Sequence, residues 1–396
     1  MSDKIKDNCV KYGIVSVLHA VALLISSGTV VQTFMIWFGV ANGKVEVYSS
    51  ITLIVQVAAM AACAFTSDKF KNLKKIVTVC FFVLPSIFLA LISVSTGLFT
   101  GENSIYGVIL AVSIICNLAL GIHNVFSYKL PYSIFDINDY GRIGSIVGIL
   151  SGVISIGVSL LLSYCVGKFD YRIVMTIAFS IGSLLWIACG VLTSTYKTIS
   201  VEESRESVGL KEFFTYSLFY KAIAPTVLRG VGMGIFGLIA AIGLRDGVLN
   251  TETATYLTVF TSLSAIAGNL AYLFLDRKVK HKHLIIISGV LSGVFLSLIS
   301  AWQSIVTFYV FYFLGNVAIT VISMAHPVLV FESVPYKNIG RYTAWRMLFM
   351  TFGQALPGFF IESLYVVIGA FGIMIIGAVC SLISSIWLGM VLKKQQ

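Results

Sequence analysis

A helix needs about 20 apolar residues to cross the hydrocarbon core of a bilayer. This chain offers twelve such stretches, near 12–40, 46–66, 76–98, 105–128, 143–166, 171–193, 217–243, 253–275, 284–302, 304–328, 342–362 and 366–391. Composition agrees: 58% of residues are apolar and 11% charged, against about 45–50% and about 25% in soluble domains. The pattern predicts an all-α integral membrane protein with small soluble parts. The first stretch is too long for a signal-peptide core, and no small-residue cleavage site follows it, so it is read as a retained span. The seven cysteines are scattered without paired spacing, which predicts neither a disulfide framework nor a metal site.

Between the sixth and seventh stretches lies "STYKTISVEESRESVGLKEFF" (194–214), the one extended polar run. It divides the chain into an N-terminal six-helix bundle over 1–193, a cytoplasmic linker over 194–214 and a C-terminal six-helix bundle over 215–396. Lysine and arginine set the orientation. With the N-terminus cytoplasmic, 22 of the 27 basic residues fall on the cytoplasmic side and four opposite, while Arg229 lies inside a span. Both termini are therefore expected in the cytoplasm, and the net charge of +10 follows from membrane topology rather than from a nucleic-acid surface.

The two halves repeat one another. "VLHAV" (17–21) matches "VLRGV" (227–231) at an offset of 210, so His19 and Arg229 hold equivalent positions. "YSSITLIVQVAAMAACAFTSDK" matches "YLTVFTSLSAIAGNLAYLFLDR" at 208, pairing Asp68 with Asp276. At an offset of 199, Asn117 pairs with Asn316, and Gly141-Arg142 with Gly340-Arg341. Repeated halves with a binding site at their interface are common among secondary transporters.

Six plus six spans, cytoplasmic termini and a charged central link resemble the major facilitator superfamily. The loop after span 2 carries a more specific likeness. The family pattern there is Gly, three residues, Asp, a basic residue, then Gly and further basic residues. Here it reads Ala64-Phe-Thr-Ser-Asp68-Lys69-Phe-Lys71-Asn-Leu-Lys74-Lys75, and it returns as Tyr272-Leu-Phe-Leu-Asp276-Arg277-Lys278-Val-Lys280-His281-Lys282. Both family glycines are missing. The resemblance implies two pseudo-symmetric bundles, a central cavity lined by spans 1 and 7, and gating carboxylates. Asp68-Lys69 would approach the start of span 11 at Arg341, and Asp276-Arg277 the start of span 5 at Arg142. A carboxylate at a helix N-terminus is favoured by about 0.3–1 kcal/mol, and a neighbouring arginine adds a charge-assisted hydrogen bond.

No Asp or Glu stands at the middle of any span, which leaves Arg229 as the one clear intramembrane ion. Charge inside a membrane is costly and usually functional, and guanidinium suits a carboxylate or phosphate. Arg229 and His19 are the leading candidates for substrate contact, although Arg229 lies eight residues past Lys221 and can also snorkel or bond carbonyls. Histidine ordinarily titrates near neutrality, which makes His19 the candidate for proton coupling. Gln32, Asn117, Asn316 and Gln354 are candidates for cavity hydrogen bonds or for interhelical bonding. His123 and His326, which do not align under the repeat, are read as structural. Gly353-x-x-x-Pro357-Gly358 in span 11 permits a kink and close packing.

A secondary active or facilitative transporter in the cell membrane, moving a small organic anion by alternating access, fits these features best. A neutral sugar or nucleoside carrier comes second, and an exporter of amphipathic compounds third. Expected partners are the small-molecule substrate, the lipid bilayer and a proton as coupling ion; a monomer without cofactor, metal or nucleic acid is expected. An enzyme is disfavoured, because no acid–base, nucleophile or metal-ligand set stands at a workable spacing.

Overall fold

The structure, a computed structural model, describes residues 3–26, 28–66, 70, 72–134, 137–197, 223–245, 251–276, 278–301, 304–333 and 339–391. Among these residues every regular element is helical: α1 (Asp3–Ile25), α2 (Gly28–Trp37), α3 (Asn42–Thr66), α4 (Leu73–Val83), α5 (Ser86–Ser95), α6 (Glu102–Lys129), a 3₁₀ turn (Leu130–Ser133), α7 (Ile137–Lys168), α8 (Tyr171–Ser194), α9 (Thr226–Arg245), α10 (Thr251–Leu275), α11 (His281–Ala301), α12 (Ile305–Ser333) and α13 (Ile339–Val391). Helices satisfy their own backbone groups, which is the condition for lying in hydrocarbon.

Eight helical stretches among the described residues are long and apolar enough to cross a membrane, and shorter apolar helices run over Ile51–Thr66, Thr226–Ile239 and Val259–Leu275. Four of the predicted spans are broken or joined in ways the hydropathy pattern does not show. Span 1 is split between α1 and α2, and span 3 between α4 and α5 at Pro85, where proline removes a helical donor. Spans 11 and 12 run together as α13 and part only at Gly369, with φ 66° and ψ −178°. A positive φ favours glycine, so one residue replaces a loop.

The outward faces show what surrounds the helices. On α8, Val174, Met175, Phe179 and Trp186 are buried, while Ile173, Ile177, Ile181, Leu184 and Val191 are exposed. Contiguous exposed apolar faces of this kind are rare on soluble monomers and match a lipid-facing surface. Asp170 caps α8, its side chain accepting from the Ile173 N–H at 3.1 Å, and Asn72 caps α4 in the same way at Lys75.

The chain divides into two compact units, residues 1–136 with 154–202 and residues 137–153 with 203–396. The first half of α7 thus groups with the second unit. In the first unit α1 packs on α8, α3 on α6, and α4 and α5 on both α6 and α8. In the second, α9 packs on α13, α10 on α12, and α11 on both α12 and α13. The helix pairing repeats as the sequence does.

Each unit has its own fastening. In the first, Asn8 is fully buried, and its side-chain amide donates to the carbonyls of Ile134 and Lys197 and accepts from the Lys197 N–H. One side chain ties the start of α1 to the ends of two other helical segments. In the second, α9 and α13 approach so closely that a Cβ on Gly230 would collide with the Met350 carbonyl oxygen, and one on Gly353 with the Val227 carbonyl oxygen. The close packing expected of Gly353 is made against Gly230. None of the seven cysteines is paired in a disulfide.

Candidate functional site

Arg229 is the fourth residue of α9 and only 4% exposed. Its Nη1 donates to Nδ1 of His326 at 2.9 Å and its Nη2 to Oγ of Ser323 at 3.1 Å. Ser323 and His326 stand one turn apart on α12, so both present the same helix face. His326 is fully buried, and its Nε2 meets no hydrogen-bond partner among the described residues. An unsatisfied buried polar group costs about 1–3 kcal/mol. Arg346, on the first turns of α13, is 6% exposed, and its charge, like that of Arg229, acts on His326. The Thr226 hydroxyl donates to the Ile223 carbonyl at 2.6 Å and lies 3.5 Å from that of Arg346. A polar, cationic cluster therefore joins α9, α12 and α13 inside otherwise apolar packing.

Arginine has no acceptor, so His326 Nδ1 must accept, and the proton of the neutral ring sits on Nε2. His19 is held in the same tautomer by a different neighbour. The Trp186 indole N–H donates to His19 Nδ1 at 2.9 Å, which again leaves Nε2 as the donor. Aromatic rings surround His19: His123 at 4.7 Å and Phe81 at 5.3 Å between centroids, with Phe81 and His123 4.6 Å from each other. The position equivalent to Arg229 thus lies in an aromatic box rather than a cationic one.

The other predicted contacts divide. Asn117 and Asn316 behave alike: each amide donates to the carbonyl four residues earlier on its own helix, Ser113 at 2.8 Å and Tyr312 at 2.9 Å. Gln354 is half-buried, and its Nε2 lies 3.8 Å from the Met233 sulfur. Gln32 is half-buried on α2. Two hydroxyl pairs repeat between the units without having been expected: Tyr48 with Ser113 at 3.0 Å, joining α3 to α6, and Thr261 with Tyr312 at 2.8 Å, joining α10 to α12.

Of the predicted gate, Asp68, Lys69 and Arg277 lie outside the described residues. Asp276 Oδ1 is 3.0 Å from His281 Nε2. Arg142 is exposed, and it lines a cavity of about 480 Å³ together with Asp276, Lys278, Ile146, Leu270 and Phe274. Beneath it the first half of α7 lies tight on α10. A Cβ on Gly141 would meet the Tyr272 hydroxyl, one on Gly148 the Asn269 amide, and one on Gly152 the Ile266 side chain. Arg341 is 4% exposed at the start of α13.

Sequence reasoning missed Ser323 and Arg346, and it read His326 as structural without linking it to Arg229. The repeat concealed the connection, because His326 aligns with Ser127 rather than with another histidine. The spacing Ser323-x-x-His326 on one helical face was the available signal. His281 as the partner of Asp276 had none beyond its closeness in the chain.

No protein-family model matches the sequence, and no curated protein matches it significantly. Solved structures do. The E. coli fucose:proton symporter FucP superposes with a TM-score of 0.75 at 13% identity, covering 96% of this chain and 97% of that one. A bacterial homologue of the iron transporter ferroportin, in its outward-facing state, gives 0.75 at 13%, covering 99% of each chain. The human organic anion transporter MFSD10 gives 0.63 at 12%, covering 98% of this chain and 100% of that one. The chain therefore has the fold of the major facilitator superfamily, as the repeat and the loop motif led one to expect.

Proposed function

We propose that this chain, folded as major facilitator transporters are, is a multi-pass carrier that moves a small organic anion across the cell membrane by alternating access. Its halves would be residues 1–193 and 215–396, joined by a cytoplasmic linker. The similar structures are described as carriers of a sugar, as a relative of an iron transporter and as an organic anion transporter, so likeness alone does not choose the substrate.

Arg229 carries the choice. It holds a permanent charge in a buried place, and the two acceptors that orient it, an imidazole and a hydroxyl, are neutral. They fix the direction of two of its N–H groups. A substrate anion binding there would gain charge-assisted hydrogen bonds in a low-dielectric setting. Arg142, Asp276 and His281 would serve the conformational change. Asp276 holds His281 beside a cavity that Arg142 also lines, and contacts of this kind bias an equilibrium between two states only if they differ between them.

The test is uptake into vesicles reconstituted with the purified protein, using labelled carboxylates, sugar acids, neutral sugars, nucleosides and ferrous iron in separate assays. Saturable uptake of an anion that is lost in Arg229→Gln supports the proposal. Saturable uptake of a neutral sugar or of iron, unaffected by Arg229→Gln, overturns it.

A further inference from the structure

The transport reading assigns one side chain to the anion, yet the cluster around Arg229 holds a second group with no assigned task. His326 is fully buried on α12, and its Nε2 has no hydrogen-bond partner among the described residues. Buried polar atoms without partners are rare in native proteins, and each calls for an explanation. The hydrogen bond from Arg229 decides what kind of partner Nε2 needs. Guanidinium only donates, so the 2.9 Å contact makes Nδ1 the acceptor and places the ring proton on Nε2. The free side of the ring is a donor that awaits an acceptor.

The two charges that act on it are both positive. Arg229 comes from α9 and Arg346 from α13, and both charges act on His326. Ser323, a turn earlier on α12, takes the second Arg229 contact at 3.1 Å. A cation has no place among these groups, and an imidazole whose Nε2 carries a proton has no lone pair there to ligate a metal.

We propose that His326 is a second anion-binding residue, whose Nε2–H, fixed in that tautomer by the Arg229 guanidinium, donates to an anionic oxygen of the substrate. Arg229 supplies the charge and His326 the direction. The oxygen belongs to a carboxylate or to a phosphate ester. A neutral sugar could accept from the same N–H groups but would bring no negative charge to the guanidinium, so its hydrogen bonds would not be charge-assisted on both sides and it would gain less. This inference rests on the anion reading of Arg229 but has its own test.

The experiment is titration of the purified full-length protein with lactate, succinate, glucuronate, glycerol phosphate, glucose and ferrous iron, each alone, following thermal stabilisation to obtain apparent affinities. His326→Leu removes the donor, His326→Gln keeps an N–H donor, and His326→Glu places a carboxylate opposite Arg229 and so occupies the site internally. His326→Leu is expected to weaken anion affinity by about tenfold or more, the worth of one hydrogen bond to a charged group. His326→Gln should recover to within about threefold of the native protein on the same scale. His326→Glu should fold and abolish anion binding, which keeps the test decisive if the leucine variant does not fold. Which compounds bind separates carboxylate from phosphate ester as the source of the oxygen.

Native-like anion affinity in His326→Leu or His326→Glu overturns the role of His326. If Arg229→Gln loses the anion while both of those variants keep it, the transport reading stands and only this inference falls. If no anion stabilises the native protein, or if iron does so through His326, both fall.

Discussion

His19 and Arg229 occupy the same place in the two repeats, and their surroundings have diverged. In the first unit the position is closed by rings, with Trp186 donating to His19 and with Phe81 and His123 packed against it. In the second it is closed by donors and a hydroxyl, with Arg229 directed into α12 at Ser323 and His326. Yet each unit fixes a histidine through Nδ1 and leaves Nε2 as the donor. The same hydrogen-bonding arrangement thus occurs on different helices, α1 in one unit and α12 in the other. Only one copy carries permanent charge, so the units are not interchangeable in what they can bind.

The largest effect expected from breaking this asymmetry is on the charged side. Arg229→Gln should raise the apparent KM for the transported anion by about 10- to 100-fold, the worth of about 1.5–3 kcal/mol for a hydrogen bond to a charged group. His19→Gln should change it by less than about tenfold, since no permanent charge is removed. Equal losses from the two would show that the units share the anion evenly.

Packing gives the next test. Gly230 aligns with Ala20 in the repeat, and a Cβ at Gly230 would collide with the Met350 carbonyl. Gly230→Ala, which gives the second unit the residue of the first, should cost about 1–3 kcal/mol through overpacking. Ala20→Gly should cost no more than the helix-propensity difference of about 1 kcal/mol. Thermal unfolding of both variants in detergent measures the contrast.

Smaller still are the two anchors of the boxes. Trp186→Phe keeps a ring and removes the donor to His19, and Ser323→Ala removes one acceptor from Arg229. Each should cost about 1 kcal/mol of stability, but only Ser323→Ala should also weaken anion affinity. A binding defect from Trp186→Phe alone would reverse the assignment of the two boxes.

Much of the fold was legible because its causes are local. Apolar runs long enough to span, placement of basic residues and the order of the repeats all follow from a one-dimensional string. The breaks were less legible. Pro85 marks where span 3 bends, but nothing in the hydropathy of 342–391 shows that Gly369 alone separates two spans. The candidate site was half-legible. Arg229 stood out because charge is rare in such helices, whereas Ser323 and His326 take their meaning from a partner 94 and 97 residues away. Asn117 and Asn316 show the reverse limit: symmetry marked them, and both bond their own helices. Repeat symmetry identifies positions that are structurally equivalent, and the departures from it are where the chemistry lies.

The claim that Arg229 makes the second unit an anion site is tested most directly by ligand-induced thermal stabilisation of the purified protein and of Arg229→Gln, across carboxylates, sugar acids, phosphates, sugars and nucleosides. The account predicts that an anion stabilises the native protein and fails to stabilise Arg229→Gln at the same concentration. Stabilisation of both proteins to the same extent by one anion, or of both by a neutral sugar or nucleoside alone, would contradict it.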